Sequence, residues 1–353
     1  MLKGKRWWVL VALVMSLALV AAACGGDDDD GGETGSGGDT TGTTDGGGES
    51  LTGDIFVSGS STVEPISALV AELFAEENPD VSVSVEGPGT GDGFELFCNG
   101  ETDISDASRP IADDEVEACG ANGVEYIELE VAIDGMAVMT SPANEAVTCL
   151  NFADLYALMG PESQGFDNWS DADSLAEELG GIGTPYPDAE LTMVAPGEES
   201  GTYDSFLEIV FDGIAEERGQ EAVARPDYQA SANDNVIIEG IAGSDTSLGW
   251  VGFAFYVQNT DVVKAIDVAE GTGSDCIAPD HDTIASGTYP LQRSLYIYVN
   301  RAKAEESEAL RAFVDLYVTD TGLVDVVDQV GYVSLPEDRR AATASTWESE
   351  RPA

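Results

Sequence analysis

Positive charge and histidine are what this 353-residue chain has least of. It carries 14 Lys and Arg against 67 Asp and Glu, one histidine, and a formal net charge of −53. That balance excludes a protein that grips nucleic acid by neutralising backbone phosphates, which needs a basic surface. The acid excess itself reads as solvated surface. The single histidine, His281, lies in the loop-like run "APDHDTIASG" and reads as an exposed loop residue, so a Ser–His–Asp hydrolase has little to work with. No G-x-S-x-G elbow, G-x-G-x-x-G turn or Walker loop occurs in the mature chain. No catalytic constellation stands out, so the chain reads as a non-enzyme without a cofactor, a secreted hydrolase being the remote alternative.

Apolar side chains are absent from Gly25 to Ser50, "GGDDDDGGETGSGGDTTGTTDGGGES". Such a segment cannot bury enough surface to offset its chain entropy, and it reads as a solvated tether with a reach of roughly 28 Å. Ahead of it, "MLKGKRWW" is a basic leader and "VLVALVMSLALVAAA" an apolar run that ends in Ala21-Ala22-Ala23 before Cys24. Small residues before the cut mark a secretory signal over residues 1–23, and the run is shorter than the roughly 20 residues a membrane span needs. A cysteine straight after them resembles a bacterial lipobox, which implies lipidation of Cys24 and a tether over 24–50. The globular part is then expected at the outer face of the cytoplasmic membrane or in the periplasm, held to the membrane by lipid.

Four cysteines remain: Cys98, Cys119, Cys149 and Cys276. An even number in an oxidising compartment reads as two disulfides, and three pairings are possible. Cys98–Cys119 and Cys149–Cys276 are favoured because each then closes within one expected domain. Wide spacings and scarce histidine argue against zinc, and no metal site is expected.

From Leu51 the chain alternates strand-like runs with amphipathic helices. "DIFVSGSS" is a strand entering a Gly/Ser turn; Ile66, Leu69, Val70, Leu73 and Phe74 follow at helical spacing. "VSVSVE", a glycine loop with a helix, and "TDISDASRPI" repeat the unit, the signature of a parallel α/β sheet whose ligands bind at strand carboxyl ends. "VEYIELEVAIDGMAVMTS" and "YPLQRSLYIYV" read as two strands crossing between domains. "SLGWVGFAFYV" reads as a buried strand, "SANDNVIIEGIAG" as a short helix capped by Asn233 or Asp234, and "AEESEALRAFVDLYVT" as one helix returning to the first domain. The expectation is a two-lobed α/β clamshell, with residues 51–133 and 293–353 in lobe I and 134–292 in lobe II.

Four strand-to-helix turns offer hydroxyls and N–H groups: Ser60-Ser61-Thr62, Thr90-Gly91-Asp92, Ser108-Arg109 and Ser200-Gly201-Thr202. Each alone is an ordinary cap or turn. Together they suit a small tetrahedral oxyanion, with Arg109 the one cation among them.

The segments "GSSTVEPI", "DISDASRPI", "ESGTYDSF", "NDNVIIEGIAG" and "YPLQRSLYIYV" resemble, in that order, substrate-binding lipoproteins of phosphate-specific ABC transporters, over about residues 55–335. The resemblance implies the periplasmic-binding-protein type II clamshell and a monomer that captures inorganic phosphate between its lobes. It also implies a membrane permease as partner, and no nucleic acid. Its phosphate contacts carry over to Ser61, Thr62 and Val63; Thr90, Gly91 and Asp92; Ser108 and Arg109; and Ser200, Gly201 and Thr202. Two positions depart from the family pattern: Pro196 stands where some members have arginine, and Ser108 where they have an aspartate that accepts a proton from hydrogen phosphate. Arg109 is then the expected replacement cation and Asp92 the expected acceptor. Another oxyanion, sulfate or molybdate, and an extracellular phosphate sensor stay open as alternatives.

Overall fold

The computed structural model describes residues 50–198 and 200–352, which belong to one compact unit. The expected signal segment 1–23, Cys24 and all of the tether except Ser50 lie outside the described residues. Among the described residues no helix is long and apolar enough to cross a membrane.

Eleven strands form among them: β1 (Gly53–Gly59), β2 (Val81–Glu86), β3 (Ile104–Ala107), β4 (Tyr126–Thr140), β5 (Cys149–Asn151), β6 (Thr192–Ala195), β7 (Gln229–Ala230), β8 (Ser247–Gly252), β9 (Lys264–Ala265), β10 (Asp267–Ala269) and β11 (Gln292–Asn300). Nine of them make one mixed sheet in the order β2-β1-β3-β11-β4-β8-β6-β7, with β9 on β4. The parallel pairs lie at its two ends, β1 with β2 and β3, and β6 with β7 and β8. Between them β11 and β4 run antiparallel, and β4 is long enough to pair with β11 along its first part and with β8 and β9 beyond Gly135. The register slips where Leu295 faces Ala132 but Tyr296 faces Glu130, leaving Val131 as the extra residue of a β-bulge.

The two largest groups of buried side chains divide near this crossing. One core holds Ile55, Val57, Leu129, Val131, Leu295, Ile297 and Trp347; the other holds Ile133, Met136, Trp169, Phe206, Trp250, Leu291, Val333 and Leu335. In the first, the helix α1 (Glu64–Glu77) buries Ile66, Val70 and Phe74 at every fourth residue and stops before Pro79. Phe74 meets Phe313 edge-on at 5.5 Å, joining α1 to the helix Glu308–Tyr317.

Both disulfides form as expected, Cys98–Cys119 and Cys149–Cys276. Three local expectations need correction. "AEESEALRAFVDLYVT" is two helices, Arg301–Glu306 and Glu308–Tyr317. Ser307 breaks it because it turns extended and caps the second with its hydroxyl, which accepts from Leu310 N at 3.1 Å. "SLGWVGFAFYV" is a strand only to Gly252; Phe253–Val257 is a helical turn that packs Phe253 into the second core and leaves Val257 exposed. His281 is exposed but opens a short helix capped by Asp280, rather than sitting in a loop.

Candidate functional site

Parallel pairing brings the carboxyl ends of β1, β2 and β3 to one edge, so their following turns are neighbours. Gly59 makes this possible: a Cβ there would lie 2.1 Å from the Asp106 carbonyl oxygen, and its φ is +152°. The turns are then tied by main-chain bonds, Ser60 N to Asp106 O at 2.8 Å and Gly89 N to Gly59 O at 2.9 Å. Gly93, near the start of the helix α2 (Thr90–Cys98), packs so closely on Gly59 that its Cβ would stand 2.4 Å from the Gly59 Cα.

Two of the four expected turns meet face to face. Ser61 donates its hydroxyl to Asp204 Oδ2 at 2.8 Å, and Thr62 Oγ1 donates to the Gly201 carbonyl at 3.3 Å and lies 3.2 Å from Ser205 Oγ. Ser200 caps the short helix Gly201–Phe206, accepting from Thr202 N at 3.3 Å. The Val63 side chain is buried, and its N–H is spent on the Ser60 carbonyl. Thr90 and Ser108 join the second and third turns, their hydroxyls 2.9 Å apart.

The other expected groups have different surroundings. Gly91 and Asp92 are exposed at the start of α2. Arg109 forms a two-pronged pair with Glu115, both bonds 2.8 Å, and lies 5.6 Å over the Phe94 ring. Its guanidinium braces the turn that carries Ser108 and makes no bond to the Thr62–Ser205 group.

The cation at that meeting point is Arg293, which sequence reasoning passed over. Its Nη2 donates to Thr62 Oγ1 at 2.9 Å and to Ser205 Oγ, its Nη1 to Glu208, and its Nε lies 3.7 Å from Asp134 Oδ2. Arg293 on β11 and Asp134 on β4 are paired in the ladder, so the crossing itself places the charges. Asp134 is fully buried, and among the described residues neither of its oxygens has a hydrogen-bond partner within bonding distance. Burial pushes its carboxyl above the usual range, opposed by the Arg293 charge and the neighbouring Ser205 hydroxyl. Asp204 is shifted the same way, burial first, with the Ser61 hydroxyl opposing and the Glu208 charge adding to it. A signal for Arg293 was present: a lone arginine inside an apolar strand, in a chain with 14 basic residues, is costly to bury without a partner.

Hydroxyls from the first turn and from the helix Gly201–Phe206, one guanidinium and one buried carboxylate thus converge at the strand crossing. A PBP superfamily domain matches residues 35–321. The chain belongs to that superfamily. Protein SphX of Synechocystis sp. is 36% identical over 286 residues, spanning 80% of this chain and 79% of that one. The phosphate-binding protein PstS of Staphylococcus saprophyticus is 32% identical over 287 residues, 81% of each chain. The crystal structure of a possible phosphate binding protein from Planctomyces limnophilus aligns with a TM-score of 0.77 at 33% identity, covering 85% of this chain and 99% of that one. The PBP fold, two α/β lobes joined by crossing strands, is therefore the fold of this chain.

Proposed function

We propose that this chain captures inorganic phosphate between its lobes outside the cytoplasmic membrane and delivers it to an ABC permease. The observation that carries the reading is the single guanidinium of Arg293 held among Thr62, Ser205 and Asp134, within a family whose members include named phosphate-binding proteins. Neutral donors with one cation suit a compact oxyanion, and Arg matches its oxygen pairs better than Lys does. Ser61, Thr62, Val63, Thr90, Gly91, Asp92, Ser108, Arg109, Ser200, Gly201 and Thr202 are the proposed ligand loops, and Arg293 joins them as the pocket cation.

Carboxylates at the seat repel a fully ionised dianion and accept a hydrogen bond from a protonated one, so specificity rests on a penalty against sulfate. Asp134, which faces Arg293, and Asp204, which accepts the Ser61 hydroxyl, are better placed for that role than the exposed Asp92. The lobes are proposed as residues 51–133 with 293–353, and 134–292. The division of the buried cores near residues 133 and 293 supports these limits, with Val333 and Leu335 reaching over into the second core. Export, lipidation at Cys24 and the tether complete the proposal. Closure on the ligand would present the form a permease recognises.

Calorimetry on the full-length chain, freed of bound ligand, tests this with phosphate and then sulfate at matched ionic strength. One-site phosphate binding without sulfate binding is expected. Sulfate or molybdate binding in its place would keep the cleft and change the ligand.

A further inference from the structure

The helical run that begins at Ser200 sends two carboxylates into the ligand seat. Asp204 accepts the Ser61 hydroxyl at 2.8 Å, and Glu208 accepts from Arg293 Nη1. They are four residues apart and therefore lie along one face. Glu208 sits in a π-helical turn, Leu207–Phe211, a wide turn common at functional sites. The two groups they occupy are a proposed phosphate donor and the pocket cation.

Resting on the phosphate reading, we propose that Glu208 is a tethered competitor for the anion seat on Arg293. A carboxylate offers the guanidinium the same oxygens and charge as an incoming oxyanion. The two acids facing Arg293 differ in how freely they can leave. Asp134 is held in β4 with its side chain 1% exposed, so it is a fixed counter-charge. Glu208 is 45% exposed at its side chain while Arg293 is 11% exposed, so the acid can swing to water and leave the arginine facing the ligand. A half-exposed ion pair is a modest opponent, which makes exchange cheap in either direction. Phosphate entry displaces Glu208; Glu208 returns as phosphate leaves. The apparent affinity is lowered by the fraction of molecules whose Arg293 is already occupied.

The test is calorimetry with phosphate on the full-length chain and on Glu208→Gln, Arg293→Gln and the double variant, each checked by thermal unfolding for an intact fold. Glu208→Gln is expected to bind phosphate about fivefold more tightly. Asp212→Asn removes a charge from the same run, and its side chain makes no bond to Arg293 among the described residues. It is expected to change affinity less than about twofold. In the Arg293→Gln background the Glu208 substitution should bring no further tightening, because the seat it competes for is gone. Unchanged or weaker phosphate binding by Glu208→Gln, or equal tightening with Arg293 absent, overturns the competitor role while the parent chain still binds phosphate. A parent chain that binds no phosphate overturns the functional reading and this inference together.

Discussion

Asp106 should weaken the fold as pH rises, and replacing it with asparagine should remove the effect. Asp106 lies near the end of β3, its carbonyl accepting from Ser60 N of the first hydroxyl turn, and is fully buried. Its Oδ1 accepts from Ser67, whose hydroxyl lies 3.0 Å from Tyr317 Oη, while Oδ2 has no hydrogen-bond partner among the described residues. Burial pushes the carboxyl from 3.8 up to about 7, with the Ser67 bond opposing and the Glu64 charge adding. Because the folded state binds the proton more tightly than the unfolded chain, stability falls as pH climbs from about 4 to about 7 and is level on either side. At about 1.4 kcal/mol per pH unit the full penalty is roughly 4 kcal/mol. Asp106→Asn keeps the shape and an acceptor for Ser67 but cannot ionise. Urea unfolding followed by tryptophan fluorescence at several pH values should give parent and variant equal stability near pH 4. The variant should then gain progressively, to roughly 4 kcal/mol above pH 8. A difference that does not change with pH would refute the reasoning, since titrating groups that do not interact with Asp106 cancel in the comparison.

Two further outcomes concern stability. The cysteine pairs enclose 21 and 127 residues, so loop entropy assigns about 3 kcal/mol to Cys98–Cys119 and about 5 kcal/mol to Cys149–Cys276. Urea titration of the paired serine variants should rank them in that order, and the reverse order would show that chain entropy is not the governing effect. Gly59→Ala must push back the Asp106 carbonyl and adopt an unfavourable φ, so a loss above about 2 kcal/mol is expected, with weaker phosphate binding because the first turn moves. Thermal unfolding and calorimetry check both halves; an alanine variant as stable as the parent would mean the turn relaxes freely.

The α/β class and both crossing strands were legible because period and composition report them directly. "VEYIELEVAIDGMAVMTS" is too long and too apolar for anything but a strand buried along most of its length, and β4 is that strand. The break at Ser307 was less visible, since a single serine in "AEESEAL" satisfies both a helix interior and a cap, and only packing decides. At the candidate site, Ser61, Thr62 and Gly201 announce themselves by their position after strands. Arg293 did not, because its role depends on which strand lies beside it. The Arg293–Asp134 ladder pair joins residues 159 positions apart, and local pattern carries no record of such a partner. The ion pair of Arg109 was equally hidden: its partner, Glu115, is six residues on and lies in the helix Asp113–Asn122, which the local pattern does not mark off from its surroundings.

β4 and β11 are ladder neighbours over nine matched positions, so the two lobes are bound by a ribbon rather than by two independent cords. Sliding one strand past the other would break many main-chain bonds at once, whereas flexing the ribbon across its face near the Val131 bulge breaks few. Each disulfide joins residues on one side of that ribbon, the first before β4 and the second between β4 and β11. Oxidation can therefore harden the covers of the book while leaving its spine free to bend.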